Sequence, residues 1–250
     1  MTTLAVSTGD CISGSRLLLA LLLWVVGAAV VGFATRAIIG VAAPELINEL
    51  GRWVPWVVLE VYAGLILALR VVFGAGWRAA LAWHPFRTRD IAVAAASCAG
   101  AYAVALGVEG MVSSQLVGST LAILEAIGSD GGRLAAAGPL LTAIILVRAV
   151  GLAALGEELL FRGALYAWFR KRLPAGVTIG LTAVLWAAIH GFPAIWPLAL
   201  CLGLGIGWVR ERSGSVLPGV LIHAGHNALM IAIAYVSSGW MAKLPAFGAS

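Results

Sequence analysis

About seven stretches of this chain are apolar for as long as, or nearly as long as, a hydrocarbon layer is thick, and only short breaks separate them. That repetition constrains the fold more than any other feature. Runs of this length are long enough to span a bilayer as helices. Composition agrees: 62% of residues are hydrophobic and only 11% charged, with a mean hydropathy of +1.01. The expectation is an all-α fold, a polytopic membrane helical bundle of about seven transmembrane helices enclosing a buried polar site.

The runs fall at about 17–40, 53–73, 91–108, from Pro139 to Phe169, 176–190, 195–209 and 215–236. A more polar stretch before Pro139 predicts a surface helix at 112–127 and a flexible turn at Gly128 to Gly132. Two parts follow from this layout: 1–138, with three spans and an outer loop, and 139–250, which carries most of the unusual polar residues. The first run is read as an uncleaved span, because it outlasts the apolar region of a signal peptide. Basic residues gather at Arg78, Arg87 and Arg89, at Arg170 to Arg172, and at Arg210 and Arg212. Facing all three groups inward puts the N-terminus in the cytoplasm of a multi-pass protein. The formal net charge of +5 is thus a topology signal, and no nucleic-acid partner is expected. Cys11, Cys98 and Cys201 show no metal-ligand spacing. His84 lies in an arginine-rich loop and is expected to be solvated.

Against this background Gly156-Glu157-Glu158-Leu159-Leu160-Phe161-Arg162-Gly163 is a polar island. A charged residue at a helix centre costs roughly 2.5–3.5 kcal/mol on insertion scales, so a purely structural helix would not keep three. On a helix Glu158 and Arg162 are i, i+4 neighbours with the acid first, the favourable order for an ion pair. Glu157 points about 100° away and is expected to remain free for chemistry. Counted at about 1.5 Å per residue, Glu157 lies at most ~22 Å from its basic end, His190 ~20 Å, His223 ~12 Å and Asn227 ~18 Å from theirs. These groups can share a layer near mid-membrane. His223 and Asn227, four apart, face the same way, and His226 does not. A carboxylate that takes a proton from water, with imidazole and amide donors for an oxyanion, makes a hydrolytic set.

At these residues the chain resembles the CPBP family, the membrane-embedded CaaX proteases and bacteriocin-processing enzymes also called the Abi family. The Glu-Glu-x-x-x-Arg motif matches Glu157, Glu158 and Arg162; the aromatic-x-x-x-His motif matches Trp186 and His190, with Trp where Phe is usual; His-x-x-x-Asn matches His223 and Asn227. The resemblance implies that Glu157 and His190 activate water, that His223 and Asn227 stabilise the oxyanion, and that Glu158 and Arg162 fix the site. It places Trp186 beside this set rather than in it. No cofactor is favoured; the alternative left open is zinc or another divalent metal on Glu157, His190 and His223. The function implied is an intramembrane endopeptidase acting on a membrane-embedded or lipid-anchored protein in a bacterial inner membrane. Two other readings are a non-catalytic immunity or scaffold protein of this fold and a proton-coupled transporter using Glu157 and His190. For the transporter, matching broken helices in two halves are wanting.

Overall fold

The computed structural model describes residues 12–42, 50–112, 143, 146–190 and 196–241. Within these the protein is helical: α1 (Gly14–Ala42), α2 (Leu50–Phe73), α3 (Thr88–Val112), a composite α4 (147–170), α5 (Ala175–Ala188), α6 (Trp196–Ser213) and α7 (Leu217–Met241). Each corresponds to one of the apolar runs, with ends a few residues apart. The helix expected at 112–127 and the turn at Gly128 to Gly132 lie, apart from Val112, outside the described residues, as does the start of the fourth run at Pro139.

Among the described residues two helical segments are long and apolar enough to cross a membrane, Gly14–Ala34 and Val61–Ala80; Ala175–Ala188 and Leu217–Ile233 are apolar but shorter. The outer surface is nevertheless oily. Leu18, Leu22, Val26 and Phe33 of α1 stand 58%, 53%, 58% and 76% exposed, and Val177, Val184 and Leu185 of α5 also face outward. So much contiguous apolar surface suits lipid and not water.

The interior is one core. Leu65, Leu69 and Phe73 of α2 meet Leu159, Phe161 and Ala164 of α4, Trp186 and Ala187 of α5, and Leu202 and Ile206 of α6. Helix α6 is central and packs against α3, α5 and α7, while α4 lies against α2, α5 and α7. Close approach of α6 to α5 depends on Gly203. A Cβ there would stand 3.1 Å from the Ala183 Cβ and 3.2 Å from the Arg162 Nη2, tighter than packed side chains tolerate.

Helix α4 is not a continuous α-helix. Val147–Ala153 and Leu159–Leu165 are π-helical, and between them the short α-segment Ala154–Glu158 carries both glutamates. π-turns are rare and gather at functional sites. Each π-segment offers a carbonyl to a side chain from another helix: Asn227 Nδ2 donates to Ala149 O at 2.7 Å, and Arg210 Nε to Arg162 O at 2.9 Å. Gly163 serves close packing, since a Cβ there would meet Leu81 Cβ and O at 3.2 Å.

Candidate active site

The five-residue α-segment between the π-turns points its two carboxylates at different partners. Glu158 and Arg162 are wholly buried and paired, Arg162 Nη1 donating to Glu158 Oε1 at 3.0 Å. Arg162 Nη2 donates to Gly203 O at 3.1 Å, and its guanidinium lies 5.1 Å from the Trp186 ring centroid. His223 Nδ1 lies 3.1 Å from the same Glu158 Oε1. A carboxylate can only accept, so Nδ1 carries the proton.

Glu157 is not left free, contrary to the expectation from helical geometry. Tyr62 of α2 donates its hydroxyl to Oε1, and Trp186 Nε1 donates to Oε2 at 2.6 Å. Trp186 therefore belongs to the site rather than beside it. A phenyl ring, usual at this place in the resembled family, has no N–H to give. The indole also lies edge-on to His190, centroids 4.7 Å apart, and to His223, at 5.1 Å.

His190 Nδ1 lies 2.8 Å from Trp186 O. A carbonyl oxygen can only accept, so Nδ1 is the donor, and in the neutral ring Nε2 keeps its lone pair. His223 Nε2 stands 3.9 Å from Glu157 Oε2, too far for a direct hydrogen bond. Asn227 gives one amide hydrogen to the Ala149 carbonyl, which leaves a second.

Glu157, His190, His223 and Asn227 line a single cavity of about 270 Å³, together with Tyr62 and Arg148. Glu158 and Arg162 sit behind it in the core. His226 is not in its wall, and His84 is exposed on the loop before α3. Two cavity residues escaped the reading of the sequence. Arg148 interrupts the apolar run that begins at Pro139, and a charge at that place is itself the signal. Tyr62 gave no signal, because one tyrosine in an apolar helix fits packing equally well.

For the metal alternative, the three named ligands do not fit as they stand. Among the described residues no three His, Cys, Asp or Glu side chains converge on a common point.

Residues 139–229 match the family model described as type II CAAX prenyl endopeptidase Rce1-like. This segment is a CPBP-family domain. The CPBP match contains Glu157, Glu158, Arg162, Trp186, His190, His223 and Asn227, so most of the cavity wall lies inside it. Tyr62, on α2, lies outside. Neither a curated protein nor a solved structure matches the chain.

Proposed function

We propose that the chain is an intramembrane endopeptidase that hydrolyses a peptide bond with water activated by Glu157. The observation that carries this reading is the grouping of Glu157, His190, His223 and Asn227 around one cavity inside an apolar bundle. Such groups are expensive to bury and have no structural need to share a space. The CPBP match adds the reaction class.

In the proposed reaction a water held by Glu157 and His190 Nε2 gives its proton to Glu157, and its oxygen attacks the scissile carbonyl carbon. The resulting oxyanion takes the second Asn227 N–H. His223 would join it as a doubly protonated ring, Nδ1 bound to Glu158 and Nε2 turned to the oxyanion. The C–N bond then breaks, and the proton on Glu157 passes to the departing amine. Glu158 and Arg162 hold His223 and the α4 backbone in place. No step in this scheme needs a metal. All seven helices are proposed to be embedded in the bilayer, that of a bacterial inner membrane, with the N-terminus cytoplasmic. The substrate is proposed to be a membrane-embedded or lipid-anchored protein.

The test is cleavage by the full chain in reconstituted bilayers, against co-reconstituted membrane proteins and a prenylated CAAX peptide. Fragments should appear with the wild type and disappear with Glu157→Ala and His190→Ala. A chelator should leave the rate unchanged; loss of activity restored by zinc would overturn the metal-free step. Equal processing by wild type and both variants would reject the protease.

A further inference from the structure

Glu157 is held from two sides, and only one of them belongs to the CPBP segment. Trp186 Nε1 occupies one position on Oε2, and the Tyr62 hydroxyl occupies one on Oε1. A carboxylate offers about four lone-pair positions, so one per oxygen stays available for water. The carboxylate is thereby fixed in orientation without being used up.

Four features show that α2 is built to deliver this hydroxyl. Tyr62 itself lines the cavity. Beneath it Gly156, the residue before Glu157, lets α2 approach: a Cβ there would stand 3.3 Å from Tyr62 Cδ1 and 3.5 Å from Leu65 Cδ2. From the other side α1 braces α2 one residue away, Trp24 Nε1 donating to Val61 O at 2.8 Å. Leu65 and Leu69, one and two turns on, are both 1% exposed in the core, so the helix cannot turn Tyr62 away without exposing them.

We propose that Tyr62 is a positioning residue of the active site: its hydroxyl orients the Glu157 carboxylate toward the attacking water. The inference rests on the endopeptidase reading and adds to it a residue from outside the family segment. Fixing a base within reach of its proton matters because a misplacement of about 1 Å can cost on the order of 100-fold in rate.

The experiment uses the full chain in liposomes with an internally quenched, farnesylated CAAX peptide as the probe. Steady-state kinetics are compared for wild type, Glu157→Gln, Tyr62→Phe, Tyr62→Ala and Gly156→Ala, and thermal unfolding is followed for each. Tyr62→Phe keeps the ring and removes only the donor. It should lower kcat about 10- to 100-fold, leave KM within about twofold and keep the melting temperature of the wild type. Tyr62→Ala should lose at least as much. Wild-type kcat in Tyr62→Phe, with activity lost only in Tyr62→Ala, would show that the ring packs and the hydroxyl is idle, which overturns the inference and leaves the protease standing. A parallel loss of kcat, KM and melting temperature would overturn it equally. Should Tyr62→Phe fail to fold, Gly156→Ala decides, since it pushes α2 back with the hydroxyl retained: a kcat-selective loss supports positioning, and an unchanged kcat overturns it. Absence of cleavage by the wild type, or cleavage that survives Glu157→Gln, would overturn the protease reading and the inference with it.

Discussion

At the scale of single residues, Trp186 joins the parts of the site. Its N–H reaches Glu157, its ring meets His190 and His223 edge-on, and Arg162 lies over its face. Trp186→Phe preserves an aromatic ring and removes the donor. A hydrogen bond to a charged group is worth about 1.5–3 kcal/mol, so kcat should fall by about tenfold or more while the fold persists. Rates on a reconstituted substrate, beside an unchanged melting curve, check this. Arg162 should behave in the opposite way. Arg162→Met takes the guanidinium partner from the wholly buried Glu158, and breaking such a pair costs about 3–5 kcal/mol. Unfolding in mixed micelles should register that loss even where no activity is assayed. The pair itself was legible, because acid and base four apart on a helix must meet. The partners of Glu157 were not. Helical spacing says which way a side chain leaves its own helix and nothing about which donors wait on α2 and α5.

At the scale of elements, the apolar runs located the helices because a helix with apolar surroundings is selected for length and hydropathy, which sequence displays directly. The π-turns of α4 have no such display, since a change from i→i−4 to i→i−5 bonding follows from tertiary contacts and not from composition. Arg210 is one of those contacts. It is buried, donates to the Arg162 carbonyl in the second π-segment and lies 5.2 Å from the Tyr166 ring centroid. Read from the sequence, it was only a basic residue at the cytoplasmic end of a span. Arg210→Leu should leave a buried carbonyl unsatisfied, at a cost of about 1–3 kcal/mol, and should lower activity by displacing Arg162. Neighbouring Glu211 gives a test by pH. Burial opposes its ionisation, but hydrogen bonds from Arg170 and Tyr166 outweigh this and hold the carboxyl below its ordinary value of 4.5. A depressed folded-state value means that the clasp between α4 and α6 contributes fully above the unfolded value and is lost as pH falls through the folded one. Acid titration of the melting temperature should therefore show a drop below about pH 4.5 that is smaller in Glu211→Gln.

At the scale of the whole molecule, the CPBP match begins after residue 138, but the packing does not stop at that boundary. Leu65, Leu69, Phe73 and Leu81 share a core with Leu159, Phe161 and Trp186. The backbone is knit across the same boundary: Val216 N–H donates to Ala82 O at 3.0 Å, and Ser215 Oγ to His84 O at 2.7 Å. Residues 139–250 alone would expose the apolar side of α4 that α2 covers and would lose the Tyr62 donor. Part of that surface can be covered by lipid, which is as apolar as leucine, but the hydroxyl on Glu157 has no substitute there. The fragment should therefore insert into a membrane, unfold at a lower temperature than the full chain and cleave at least tenfold more slowly, on the order of the loss expected for a misplaced base. Supplying 1–138 as a second polypeptide should restore the rate, and supplying 1–138 with Tyr62→Phe should restore the melting temperature without the rate. A fragment that cut as fast as the full chain would show that the first helices are dispensable to catalysis and that Glu157 needs no partner beyond the CPBP segment.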